Sequence, residues 1–412
     1  MTTSSRPADV ILHPGKEKHV KRGHPWVFSG AIARIQVDDL PPEAGDWVRV
    51  KDAQGTFIGW GHWGTGSIAV RIVSRGDDSL PPDSRWWADK LADCLTIRRS
   101  IGLAGGDSGK QGFRWVHGEG DGLSGLVLDV YAGLVVVQTH SMGMHKALSD
   151  IADGIQQAMG DALVGIVNKS DALLAKLGEG ALAKPGDGWL WPIDPGLAPT
   201  LPHTFEEHGI AYRIDPMGGQ KTGFFLDQRD NRKLLHDWVG ARPVLNVFSY
   251  TGGFSLAALK GGSPHVVSLD ASRPAIEAAE EHARLNGFDG RHEGVCADAL
   301  SYLKQQERLP PVVVLDPPAY AKSRNARHRA VQGYKRLNET ALQRMPENSL
   351  LWTFSCSQVV DAALFEDTLV AAAISSGRTV RILRRLGQPA DHPSLAGHDE
   401  ARYLKGLVLH VS

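Results

Sequence analysis

Two residues at the ends of short apolar runs carry the most reactive chemistry in this chain. Cys356 lies in Trp352-Thr353-Phe354-Ser355-Cys356-Ser357. A thiol just past a strand can act as a nucleophile when its neighbourhood favours the thiolate. A buried structural cysteine is the competing reading, but the flanking Ser355 and Ser357 argue against an apolar pocket. Cys94 and Cys296 lack such a context and are assigned to packing. Asp316 follows Val312-Val313-Val314-Leu315 and precedes Pro317-Pro318-Ala319-Tyr320. Two prolines stiffen that loop, so the carboxylate points at a fixed spot. Such a group beside a bound base can hold a ring N–H or an exocyclic amine; a plain strand-exit turn is the alternative. If the two strands are neighbours, Cys356 sits beside Asp316.

A second group of residues suits a nucleoside-type ligand. In residues 244–254 an apolar strand carrying Asn246 runs into Phe248-Ser249-Tyr250-Thr251-Gly252-Gly253 and then a helix. A small, Gly-containing turn lets backbone approach a ligand, and a helix N-terminus offers free N–H groups. The pattern is not GxGxxG, which disfavours a nicotinamide oxidoreductase. Asp270 ends the next strand and can accept from both ribose hydroxyls, while Asp298 is placed to accept from an adenine amino group. Each acid alone reads equally well as a helix cap; the ordered set speaks for a ligand. Phe224, Phe225, Asp227, Gln228 and Arg229 could line the mouth of the same site, with a helix N-cap at Asp227 as the alternative. Residues 322–336 hold six Lys/Arg and no acid, which suits a polyanionic substrate or a solvated helix face.

The elements that must position these groups follow from pattern. From residue 203 onward, strands at 243–248, 265–269, 312–316, 350–355, 379–386 and 403–410 alternate with helices near 226–239, 254–261, 273–286, 329–344 and 361–376. That alternation predicts an α/β fold, a Rossmann-like doubly wound sheet. The last two strands lack an intervening helix and predict an antiparallel hairpin at one edge. Residues 8–76 read as short strands between turns, a small β-barrel. Residues 16–24 add four positive charges against one negative, beside aromatics, a pattern that suits nucleic acid or a solvated turn. A central α+β module follows, and residues 184–202, with Pro185, Pro192, Pro195, Pro199 and Pro202, read as an extended connection. The expected domains are 1–78, 79–200 and 201–412.

Composition sets the limits. The chain has 412 residues, 45 Lys+Arg against 46 Asp+Glu, 42% hydrophobic and 22% charged residues, and three cysteines. This is ordinary globular usage and excludes a uniformly basic coat. No apolar run of about 18 residues exists, so no membrane span is expected. The N-terminus lacks the pattern of a signal peptide. With no CxxC, no metal site is expected. The reading is a protein of a reducing, cytoplasmic compartment.

Taken together these segments resemble the bacterial 23S ribosomal RNA cytosine-C5 methyltransferases with an N-terminal PUA domain. The resemblance rests on residues 13–15 and 23–28, on Val116-His117-Gly118-Glu119-Gly120-Asp121-Gly122-Leu123, and on Phe225-Leu226-Asp227-Gln228-Arg229. It extends through residues 246–254, Asp316-Pro317-Pro318, Phe354-Ser355-Cys356-Ser357, Ala390-Asp391-His392-Pro393 and Tyr403-Leu404-Lys405-Gly406. It implies S-adenosylmethionine as cofactor, walled by Phe225, Asp227, Gln228 and Arg229 with Asn246, Tyr250 and Gly252, its ribose on Asp270 and its adenine near Asp298. It implies Cys356 as nucleophile and Asp316 as its partner at the base, large-subunit ribosomal RNA as substrate, and a homodimer. A second cysteine found in the Asp-Pro-Pro loop region of some RNA cytosine-C5 methyltransferases is absent here. Two other readings stand beside this one: an RNA nitrogen methyltransferase without a cysteine nucleophile, and a non-catalytic RNA-binding assembly factor.

Overall fold

The computed structural model describes residues 7–38, 40–77, 79–104, 109–176, 186–192, 194–219, 221–321 and 323–412. Lys322 of the basic stretch and Pro185 of the connection lie outside them. The chain divides into two compact units. The first comprises Met1–Phe205, Ile214–Phe224 and Ala390–Ala401, the second Glu206–Arg213, Phe225–Pro389 and Arg402–Ser412.

The first unit opens with β1 (Ala8–Leu12), α1 (Glu17–Lys21), β2 (Trp26–Phe28), β3 (Ile32–Gln36), β4 (Trp47–Lys51), β5 (Phe57–Trp63) and β6 (Ile68–Ser74). These strands form one sheet in the order β2-β6-β5-β4-β1-β3. All its pairs are antiparallel except β1 with β4. Val10, Leu12, Val27, Val48, Val50 and Val70 fill its core. Next come α2 (Ser84–Ser100), β7 (Gly112–His117), β8 (Leu126–Tyr131), β9 (Leu134–Thr139), α3 (Met142–Lys146), α4 (Leu148–Met159), β10 (Gly165–Asn168), α5 (Asp171–Lys176) and β11 (Gly188–Trp191). Asp83 starts α2 by accepting the Trp86 N–H at 2.9 Å, a side-chain N-cap. The five strands run β11-β10-β9-β8-β7. The supposed connection at 184–202 is therefore partly sheet, since Gly188–Trp191 pairs antiparallel with β10. Its prolines flank the strand and leave its N–H groups available for pairing.

A hairpin of β12 (His203–Glu207) and β13 (Ile210–Ile214) follows. The second unit then contains α6 (Arg229–Val239), β14 (Val244–Val247), α7 (Gly253–Lys260), β15 (Val266–Asp270), α8 (Arg273–Leu285), β16 (His292–Cys296), α9 (Ala299–Gln305), β17 (Val312–Leu315), α10 (Arg327–Leu342), β18 (Ser349–Ser355), α11 (Ala362–Ser376), β19 (Val380–Gly387) and β20 (Lys405–Val411). The seven-stranded sheet has the order β16-β15-β14-β17-β18-β20-β19. Five strands are parallel, and β20 runs antiparallel to both β18 and β19. The doubly wound sheet and its terminal hairpin are as the sequence pattern predicts. Val313 and Leu315 pack with Tyr334, Leu337 and Phe365 in one core layer. The intervening Val312 and Val314 are equally buried, as in a strand covered on both faces. Chain order reverses between β14, which neighbours β15, and β17. Ligands of open α/β sheets bind at the carboxyl ends of strands beside such a switch. Among the described residues no helix is long and apolar enough to cross a membrane.

Candidate active site

The carboxyl ends of β14, β15, β17 and β18 gather the candidate residues of the second unit. β17 and β18 are parallel neighbours, with Leu315 opposite Thr353. Asp316 and Cys356 therefore emerge from adjacent strand ends, Asp316 one residue beyond β17 and Cys356 one beyond β18. Both are half-buried. Gln228 Nε2 donates to Asp316 Oδ2 at 3.0 Å. Asn231 Nδ2 in turn donates to Gln228 Oε1 at 2.6 Å and lies 3.1 Å from the Gly387 carbonyl. Asp316 is thus oriented by a relay that begins on α6. Gln228, expected on the cofactor wall, donates to the Asp316 carboxylate.

The neighbourhood of Cys356 is polar and ordered. Ser355 and Ser357 are fully buried, and Tyr334 and Ser357 share a hydroxyl–hydroxyl hydrogen bond of 2.9 Å. Lys405 opens β20 directly opposite Ser355. Its Nζ donates to the carbonyls of Ser357 at 2.6 Å and Tyr403 at 3.0 Å. Burial pushes the Lys405 ammonium down to about 8, while the charge of Cys356 pulls the other way. Lys405 was quoted in the sequence only as part of a matching segment. Its place beside the thiol depends on the long-range β18–β20 register, for which there is no local signal. Cys94 is buried, which pushes its thiol up to about 12. Cys296 is only half-buried, at the end of β16, so packing describes the first of the pair better than the second.

The loop after β14 is backbone-strained. Phe248 and Tyr250 hold φ of 62° and 46°, a region that non-glycine residues seldom enter and that clusters at functional sites. Gly252, φ 82°, caps α7, and a Cβ there would lie 2.9 Å from the Ala279 Cβ. The Tyr250 N–H donates to Asp270 Oδ2 and the Ser272 N–H to Oδ1, both at 2.9 Å. Each carboxylate oxygen keeps a second acceptor site, so Asp270 can still take a hydroxyl on each side. The Phe225 ring meets Tyr250 edge-on at 5.0 Å. These features fit a ribose held at the end of β15, with two aromatic rings at its border.

Three expected cofactor residues are engaged within the protein. Asn246 is 1% exposed. It donates to Ser255 Oγ at 2.9 Å, at the head of a chain through Ser268 to His292. Its Oδ1 is buried without a hydrogen-bond partner. Asp298 is exposed and caps α9 through the Ser301 N–H at 2.9 Å. Hydrogen bonding from the Ser301 side chain, and then from its N–H, holds the carboxyl below the usual range, so the capping alternative is realised there. Arg229 is buried at the start of α6, and its charge acts on His208 of the β12–β13 turn. Asp227 is not the α6 cap; it accepts the Tyr403 hydroxyl at 2.6 Å.

The S-adenosylmethionine-dependent methyltransferase family matches residues 198–410, and a PUA-like domain matches residues 10–75. Across its whole length the chain is similar to the ribosomal RNA large subunit methyltransferase I of Alteromonas mediterranea. The identity is 37%, over 98% of this chain and 99% of the relative. The protein of that name from Salmonella arizonae is 35% identical over the full length of both. A SAM-dependent methyltransferase from Streptococcus mutans superposes with a TM-score of 0.79 at 19% identity, over 97% of this chain and 99% of that one. A methyltransferase solved with SAH superposes with a TM-score of 0.80, also at 19% identity and over 97% and 99% of the two chains. These two structures support the fold. With the strained loop, Asp270 and the switch in strand order already pointing to a nucleoside cofactor, the full-length likeness makes the conclusion plain: the chain belongs to the large-subunit methyltransferase I family and uses S-adenosylmethionine.

Proposed function

We propose that the protein methylates C5 of a cytosine in large-subunit (23S) ribosomal RNA through a covalent bond between Cys356 and C6. The carrying observation is the placement of Cys356 and Asp316 at the ends of adjacent parallel strands, with Lys405 beside the thiol. The names of the full-length relatives supply the RNA class. When bound, S-adenosylmethionine supplies an electrophilic methyl group. Cytosine C5 is a poor nucleophile until a thiolate adds to C6. Cys356 Sγ forms that bond, and the ring electrons shift to C5, which takes the methyl carbon as the methyl–sulfonium bond breaks, its electron pair staying on sulfur as S-adenosylhomocysteine. Asp316 accepts from the amino group, or in its acid form donates its proton to N3 as the sulfur adds to C6, and so steadies the charge. A base then removes the C5 proton, its electron pair reforms the C5–C6 double bond, and the C–S bond breaks to release the thiolate. Lys405 serves as the counter-charge of that thiolate.

Tyr320 weakens the nitrogen-methylating alternative. Its ring packs 4.7 Å from Tyr334, so it is occupied within the protein rather than offered to a base. The PUA-like sheet and the exposed Arg329 and Arg336 of α10 would hold the surrounding RNA by its phosphates. The experiment is transfer of labelled methyl to deproteinised 23S RNA by wild type and Cys356→Ala, with the modified nucleoside identified by mass spectrometry. The reading requires 5-methylcytidine from wild type alone. A methylated purine, or equal activity without the thiol, sinks it.

The homodimer implied by the resemblance has a candidate surface. Val370 and Ile374 of α11 and Ile382 and Leu383 of β19 are exposed at the free edge of the sheet. Exposed apolar side chains on the edge strand and on α11 suit a second copy of the chain. Ile374→Glu should turn a dimer into a monomer in sedimentation; an unchanged species would remove this surface from consideration.

A further inference from the structure

We propose that His24, His398 and Glu400 form a binding site for a single divalent ion of the zinc class. His24 precedes β2, and His398 and Glu400 lie on the loop between β19 and β20; all three belong to the first unit. Each can offer one ligand atom, and these atoms lie within 4.8 Å of one another. The His24 and His398 rings are 5.1 Å apart, centroid to centroid, at 76°. Two imidazoles sharing a tetrahedral ion at metal–nitrogen bonds of about 2.0–2.1 Å have centroids roughly 5 Å apart. The rings already stand at that spacing.

The strongest sign is His398. It is 2% exposed, and neither ring nitrogen has a hydrogen-bond partner. Buried polar groups are nearly always paired, and an orphan calls for an explanation such as an ion. Its Nε2 faces Glu400 Oε2 at 3.7 Å, too long for a hydrogen bond yet suited to two ligands of one ion. His24, 4% exposed, places Nδ1 3.3 Å from the Trp26 carbonyl. The Trp26 N–H donates to the same Nδ1 at 3.2 Å, so the backbone of Trp26 engages Nδ1 and leaves Nε2 as the nitrogen on offer; an ion on Nε2 would require the tautomer whose Nδ1–H donates to the Trp26 carbonyl, the outer hydrogen bond that metal-bound histidines generally make. The site is braced by Trp26, whose ring abuts His398 at 4.8 Å while its Nε1 donates to Glu119 and Ser124. Two imidazoles, one carboxylate and an open position for water suit zinc. Bound there, an ion would pin a loop from the end of the chain to the start of β2. No metal was expected from the sequence because the ligands are separated by more than 370 positions and follow no spacing motif.

The test uses the untagged full-length protein, stripped by chelator and titrated with zinc chloride against a chromophoric chelator. Wild type should bind one equivalent that His398→Ala and Glu400→Gln lose or weaken by at least about 100-fold, since even outer-shell partners cost 10–100-fold. Zinc should also raise the melting temperature of wild type and not that of Glu400→Gln. Glu400 is exposed, so its replacement leaves the fold intact if His398→Ala does not. Zinc affinity and stoichiometry that are the same in wild type and Glu400→Gln would overturn the proposal, as would the absence of a bound equivalent in wild type.

Discussion

Lys405 and Gln228 are the residues whose roles the geometry changes most. The Lys405 ammonium loses its proton near pH 8 rather than above 10. It is charged below that pH and neutral above it. If its charge supports the Cys356 thiolate, methyl transfer falls as pH rises through about 8. Lys405→Arg, which stays charged, should remove that alkaline decline, and Lys405→Met should lower the rate below about pH 8 and converge on wild type above it; pH–rate profiles of the three proteins decide. Gln228 separates two assignments. As the residue that orients Asp316, its change to Ala should leave S-adenosylhomocysteine affinity unchanged and cut kcat about 100-fold, the order of loss expected from a ~1 Å misplacement. A weakened cofactor with normal kcat would return it to the cofactor wall. Cys356 and Asp316 were legible because each sits next to a short apolar run with distinctive neighbours. The place of Lys405 and the contact of Gln228 with Asp316 were not, because the partners lie 48 and 88 positions away.

At the scale of elements, the terminal hairpin carries the site as much as the central strands do. Gly406 sits opposite Phe354, and a Cβ there would lie 2.4 Å from the Phe354 Cδ1. Phe354 is fully buried and cannot yield. Gly406→Val should therefore destabilise the protein by about 1–3 kcal/mol, the usual cost of overpacking, measured by chemical denaturation. It should also reduce methyl transfer, since Lys405 precedes it and Ser355 precedes Cys356. The alternation of apolar runs and helical patterns made most of this sheet readable. β16 and α9 were not read: His292-Glu293-Gly294-Val295-Cys296 opens with two adjacent polar residues and contains Gly, and α9 is only seven residues long. The hairpin of β12 and β13 and the strand β11 were hidden for a different reason. Their pairing is decided by partners outside the local segment, and nearby prolines gave a stronger signal for a connection.

Over the whole molecule, the loop between β19 and β20 shows how little chain order says about packing. It interrupts the methyltransferase sheet in sequence yet belongs to the first unit. The reason is a buried charge network. Arg98, 0% exposed, grips Asp121 through two hydrogen bonds of 2.5 and 2.8 Å and donates to the Asp391 carbonyl at 2.7 Å. The Arg114 backbone N–H donates to the Asp391 carboxylate at 2.8 Å, and the Arg114 side chain pairs with Asp129. Asp391 also holds His392 Nδ1 at 2.9 Å. The segments at 116–123 and 390–393 thus meet in one structure, a fact that neither motif reveals alone. A buried pair gives little net stability relative to apolar packing, but removing one partner strands the other charge. Asp121→Ala should cost about 3–5 kcal/mol on that account, whereas the double change Arg98→Met with Asp121→Leu should recover much of the loss. Calorimetry on both variants tests the argument. Additive losses in the double variant would mean that the pair matters for its geometry around Asp391, not for the charge it leaves behind.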